Sequence, residues 1–68
     1  MERESMRLQL NITVERLLNM GDISLEELYY VLFGEFSDNR DNESIIDFIE
    51  STDYLSQYNI EKIKINYL

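Results

Sequence analysis

The 68-residue chain reads as a small α+β domain of strand, helix, helix, strand order. Three observations predict it: apolar residues alternate with period two near both ends, they follow helical spacing in the middle, and a serine-led capping sequence opens the first helix. From Met6 to Val14, apolar Met6, Leu8, Leu10, Ile12 and Val14 alternate with Arg7, Gln9, Asn11 and Thr13. That is the pattern of a half-buried strand. Toward the other end Ile63, Ile65 and Tyr67 alternate with Lys62, Lys64 and Asn66, whereas Ile60 falls on the opposite parity. The second strand therefore starts after Ile60 or carries a bulge there.

Ser24-Leu25-Glu26-Glu27 has the form of a capping box, in which the serine hydroxyl accepts from the third helical N–H and the glutamate reaches back. Leu25, Leu28, Tyr29, Leu32 and Phe36 continue as an apolar stripe, and Gly34 marks its end. Tyr30, Val31 and Phe33 lie off the stripe, so more than one surface must cover this helix. Polar residues 37–42 read as a loop, and Ile45, Ile46, Phe48 and Ile49 form the inner face of a second helix capped by Asp41 or Asn42. Glu15 to Met20 adds a short helical turn before the Gly21-Asp22 break.

Two helices between the strands reverse the chain twice and return the last strand antiparallel to the first. A lone two-stranded sheet is marginal in water, and a chain this short buries only about 60% of its unfolded surface. Cysteine and histidine are absent, so neither a disulfide nor a cysteine–histidine zinc site can brace the fold. Joining two protomers into a four-stranded sheet would supply core and cover edges, and a homodimer is expected. No internal repeat or domain boundary is visible, which leaves one domain over residues 1–68.

Charge is the most uneven property of the chain. The formal charge is −8, and between Leu17 and Glu61 eleven acidic residues face a single basic one, Arg40. A field of that sign repels nucleic acid and anionic lipid and steers the chain toward a cationic protein. Glu43, Asp47 and Glu50 fall at i, i+4 and i+7 on the second helix, opposite its isoleucines. Their spacing of about 5–6 Å between Cβ atoms is of the order of the separation between successive phosphates on a nucleic-acid strand. Asp53, Asp38 and Asp41, with Glu26, Glu27 and Glu35 on or near the first helix, extend the stripe into a field. Tyr54 and Tyr58 are expected beside it as partly exposed aromatic contacts. The competing reading is a solvated acidic face that keeps a small protein in solution. Arg7, Lys62 and Lys64 form a weak basic patch on the outer side of the sheet.

Other chemistry finds little support. Asn39, Asp41, Glu43, Asp47 and Glu50 occupy positions 1, 3, 5, 9 and 12 of a calcium-loop register, but Ser44 stands where the sharp turn needs glycine and Arg40 places a cation beside the ion. Without histidine or cysteine the catalytic options shrink to carboxylates, lysine, tyrosine and hydroxyls. Gly21 and Gly34 are the only glycines, so there is no phosphate-binding loop. No enzymatic activity, cofactor or metal is expected. Met1 to Ser5 lacks the apolar run of a signal peptide and no stretch is apolar enough to span a membrane, which points to the cytoplasm.

Alanine and proline are absent, while isoleucine, asparagine and tyrosine are plentiful, as in an AT-rich genome. That bias should also raise lysine, which occurs only twice, so the acidity looks selected. In size, acidity and composition the chain resembles the phage-encoded DNA-mimic inhibitors of host takeover, including those that disable the nucleoid protein HU. The resemblance is one of class and implies competition with DNA for the basic groove of a host DNA-binding protein, in the host cytoplasm. An acidic antitoxin or anti-regulator, recognising a protein pocket through tyrosine and phenylalanine anchors, is the alternative.

Overall fold

The computed structural model describes residues 2–38 and 41–68, with the side chains of 5–38 and 41–68. The regular elements among the described residues are four helices: α1 (Glu2–Met20), α2 (Leu25–Phe33), α3 (Asn42–Ser51) and α4 (Gln57–Tyr67). The α+β expectation is overturned, because no strand occurs among the described residues. Met6 to Val14 lies inside α1, as does the turn expected at Glu15–Met20, and Lys62 to Tyr67 lies inside α4.

Two superposed patterns explain the error. In α1 the inward residues are Leu10, Val14, Leu17 and Leu18, spaced i, i+4, i+7 and i+8. Met6 and Leu8, which completed the period-two alternation, are 70% and 64% exposed, and Ile12 is exposed as well. In α4, Ile60, Ile63 and Tyr67 share one face at i, i+3 and i+7, while Ile65 points to solvent. Ile60, out of phase as a strand residue, is in phase as a helical one. The sheet edge that motivated a four-stranded homodimer is thereby lost.

The middle of the chain follows the expected local chemistry. Ser24 Oγ accepts from the Glu27 N–H at 3.1 Å, and the Ser24 N–H donates to Glu27 Oε1 at 3.0 Å. These reciprocal bonds satisfy two donors at the start of α2. Gly34 closes the helix in the left-handed region at φ 76°, its N–H donating to the Tyr30 carbonyl, a conformation costly for residues with a Cβ. Because α2 stops at Phe33, Phe36 falls past its end and is exposed, contrary to its assignment on the core stripe. Asp41 precedes α3 as expected, but its carboxylate accepts from the Ser44 hydroxyl and makes no cap bond.

Five contacts set the topology. The Tyr67 hydroxyl donates to the Ile23 carbonyl, and Asn42 Nδ2 donates to the Tyr67 carbonyl at 3.2 Å, so the end of α4 lies beside the starts of α2 and α3. At the opposite end the Phe33 ring lies 5.5 Å from that of Tyr54. Thus α2 and α3 run one way, and α4 runs the other. Asn11 bonds the start of α4 and Asn19 accepts from Lys62 farther along it, which makes α1 parallel to α4.

Twelve buried apolar residues from the four helices and the α3–α4 connection form one core, with Val14, Leu28, Ile45, Ile46, Ile49 and Ile63 at its centre. A polar clip fastens its edge. Asn11 Oδ1 accepts from the Ser56 N–H at 2.7 Å and from Asn59 Nδ2 at 2.8 Å, while Asn11 Nδ2 donates to the carbonyls of Arg7 and Tyr54. Asn59 is buried, and its own Oδ1 has no hydrogen-bond partner among the described residues. One asparagine thus ties the mouth of the α3–α4 turn to the long first helix.

Candidate functional site

Helical phase places Glu43, Asp47 and Glu50 on the outer face of α3, all exposed, because Ile45, Ile46 and Ile49 are drawn into the core on the opposite side. The stripe read from the spacing is therefore present on the surface. Neither α2 nor α3 carries a basic residue. Like charges one turn apart cost a few tenths of a kcal/mol per pair, so this face stores a small repulsion.

The remaining acids divide by what already engages them. Lys64 Nζ lies 3.4 Å from Glu50 at one end of the stripe, and Arg7 lies 3.6 Å from Asp53. Both pairs are open to solvent, where such bridges contribute little. Asp53 also fills a backbone role, since it turns the chain after α3 at φ 60°, a left-handed conformation that aspartate tolerates better than most residues. Glu27 is committed to its capping box, and its carboxyl is held below the ordinary value by the Ser24 backbone N–H and then by the Ser24 hydroxyl. Glu26 and Glu43 occupy the first turns of α2 and α3, where the helix dipole favours an anion. Glu35 and Asp38 are exposed in the α2–α3 connection. Asn39 and Arg40, the first residue of the calcium-loop register and the lone cation of the acidic segment, lie outside the described residues. No group of three or more potential ligands converges on a metal position among the described residues.

The basic patch expected on a sheet belongs instead to α1 and α4, and its members are engaged. Arg7 and Lys64 meet Asp53 and Glu50; Lys62 donates to Asn19 Oδ1 at 3.0 Å and lies 5.6 Å from the Tyr58 ring centroid. Tyr54 and Tyr58 occupy different settings. Tyr58 rides on the outer side of α4 with Lys62, while Tyr54 joins a set of rings between α2, α3 and the turn after α3. In that set Phe33 lies 4.6 Å from Tyr29, 5.4 Å from Phe48 and 5.5 Å from Tyr54. Phe48 is 45% and Tyr54 42% exposed. Sequence reasoning placed Phe48 on the inner face of its helix and set Phe33 off the α2 stripe, among the residues that a second surface must cover. The available signal was the i, i+4 pair Tyr29 and Phe33 on one flank of α2, with Phe48 on the corresponding flank of α3.

Tyr67 latches the far end of the bundle. Its hydroxyl donates to the Ile23 carbonyl; partial burial raises its phenol above the ordinary value, and the Glu27 carboxylate adds to the shift.

No helix among the described residues is long and apolar enough to cross a membrane. In comparisons with protein-family models, with curated proteins and with solved structures, nothing matches this chain.

Proposed function

We propose that the chain is a DNA mimic that uses its acidic helical side to occupy the nucleic-acid-binding surface of a basic protein such as a bacterial nucleoid protein. The observation that carries this reading is the α3 stripe: Glu43, Asp47 and Glu50 are exposed together on a helix that contains no lysine or arginine. A cationic groove built for phosphates meets at that face a row of anions with similar spacing. The class resemblance to phage inhibitors of host takeover points the same way and would imply a target in the host cytoplasm. Binding here is competitive and chemically passive, since mimicry needs a held charge pattern and no reacting group.

The antitoxin or anti-regulator reading draws support from a different observation, the half-exposed rings of Phe48 and Tyr54. Salt separates the two. Contacts made of many charges weaken as the Debye length falls from about 10 Å at 0.1 M to about 3 Å at 1 M. Affinity for a purified nucleoid protein, measured by calorimetry over that range, is expected to drop by more than about tenfold. An affinity unchanged across it would favour recognition through an apolar pocket.

A further inference from the structure

We infer that Asn11 and Asn59 together set the register of α1 on α4, by excluding an arrangement, slid by one helical turn, that the apolar residues of α1 would accept. The inference stands apart from the proposed binding and concerns how the chain reaches a single structure.

It starts from a residue that stability alone does not explain. Asn59 is buried on the inner face of α4 beside Ile60 and Ile63, yet its Oδ1 has no hydrogen-bond partner among the described residues. A buried acceptor left unpaired is destabilising, and an apolar side chain would avoid the cost. The other end of the amide is committed to one residue of α1. Asn59 Nδ2 donates to Asn11 Oδ1 at 2.8 Å and to the Asn11 carbonyl at 3.1 Å, and Asn11 Oδ1 also accepts from the Ser56 N–H at 2.7 Å. Reversing the amide would set Asn59 Oδ1 against both oxygens of Asn11, so α4 presents two donors and position 11 must accept.

The apolar residues of α1 are less selective, because Met6, Leu10, Val14 and Leu18 recur every four residues. Met6 is in phase with the covered stripe but lies beyond its end, 70% exposed. If α1 slides by one turn along α4, the sites of Leu10, Val14 and Leu18 receive Met6, Leu10 and Val14, and Thr13 comes to the half-buried site of Leu17. Residues 17–20 then pass into the connection to α2, and closing a longer loop costs only slowly more. Position 11 decides the matter. In the slid arrangement Arg7 stands there, and a guanidinium has no acceptor to offer the Ser56 N–H or the buried Asn59 amide. The opposite slide needs no such lock, since it would bring Gly21 and Asp22 to the sites of Leu17 and Leu18. A lone buried polar residue fixes the register of coiled coils by the same discrimination.

The test reads register itself, which melting temperature does not report. Cysteine is absent from the chain, so spin labels on the pair Ser5→Cys/Ile65→Cys, both exposed, mark α1 and α4 alone. A slide of one turn shortens their separation by about 6 Å, from a rise of about 1.5 Å per residue. Double electron–electron resonance is expected to give one distance for the otherwise unaltered labelled chain. Arg7→Asn supplies the slid arrangement with its own acceptor while every bond of the Asn11 side chain remains available to the native one; a second distance, about 6 Å shorter, should appear. Asn11→Leu/Asn59→Leu removes the discrimination and should show the same second distance, with helicity checked by circular dichroism. Two distances in the chain that keeps both asparagines and Arg7, or a single unchanged distance in either folded variant, would overturn the inference. Arg7 is exposed and its ion pair with Asp53 lies at the surface, so the Arg7→Asn arm decides even if the double variant loses its helices.

Discussion

Replacing Ile49 by aspartate is expected to leave the chain unfolded at 25 °C. Ile49 is fully buried on the inner face of α3, within a core fed by all four helices. An unpaired carboxylate there costs several kcal/mol or, if it takes up a proton, still leaves a buried polar group without a partner. At roughly 0.05–0.15 kcal/mol per residue, a chain of this length has only about 3–10 kcal/mol to lose. Loss of the helical circular-dichroism signal reports the result, and a cooperative melt retained by Ile49→Asp would contradict the core. Leu8→Asp is the informative companion. A strand with Leu8 and Leu10 on one buried face would not survive it, whereas exposed Leu8 on α1 tolerates it within about 0.5 kcal/mol.

Asn11→Ala is expected to be the most damaging substitution among the partly exposed polar residues. It removes the acceptor for the Ser56 N–H, one of two acceptors for Asn59 Nδ2, and the donor to the Tyr54 carbonyl. Leaving such groups unsatisfied costs about 1–3 kcal/mol each when they are buried. Since the Asn59 amide keeps the Asn11 main-chain carbonyl at 3.1 Å, about 2 kcal/mol in total is a fair expectation. For a domain of this size that lowers Tm by about 10 °C. Asn59→Leu should behave differently, because it takes away an amide whose Oδ1 has no partner among the described residues; its Tm should fall much less than that of Asn11→Ala. Differential scanning calorimetry of the two variants measures the contrast, and equal losses would show that Asn11 is not the hub of the clip.

These expectations also show where the sequence was legible. The middle of the chain could be read because its signals are local: a serine and a glutamate three residues apart fix the start of α2, Gly34 fixes its end, and Ile45, Ile46 and Ile49 fix the phase of α3. The acidic stripe followed from that phase. The ends misled because exposed apolar residues, Met6 and Leu8 in α1 and Ile65 in α4, completed an alternation that burial does not respect. Periodicity records which residues are apolar, and only packing decides which apolar residues are covered. Ile60 was the clue, since one residue out of strand phase is better explained by a helix than by a bulge when Ile63 and Tyr67 stand three and seven residues on. The ring cluster was unreadable for another reason. It joins Phe33, Phe48 and Tyr54 across two helices and a turn, and such a meeting depends on the topology, which the strand assignment had wrong.

The proposed mimicry is tested most directly by displacement of labelled duplex DNA from a purified bacterial nucleoid protein. The unaltered chain is compared with the triple variant Glu43→Gln/Asp47→Asn/Glu50→Gln, whose fold should persist because the substituted side chains are exposed and the one ion pair lost, Glu50 with Lys64, lies at the surface. Neutralising Glu2 and Glu4, outside the acidic segment, is the control. Displacement by the unaltered chain and by the Glu2/Glu4 variant, with none by the folded triple variant, is the expected result; no displacement by the unaltered chain, or displacement undiminished in the triple variant, would contradict the assignment of the α3 stripe as the phosphate-like face.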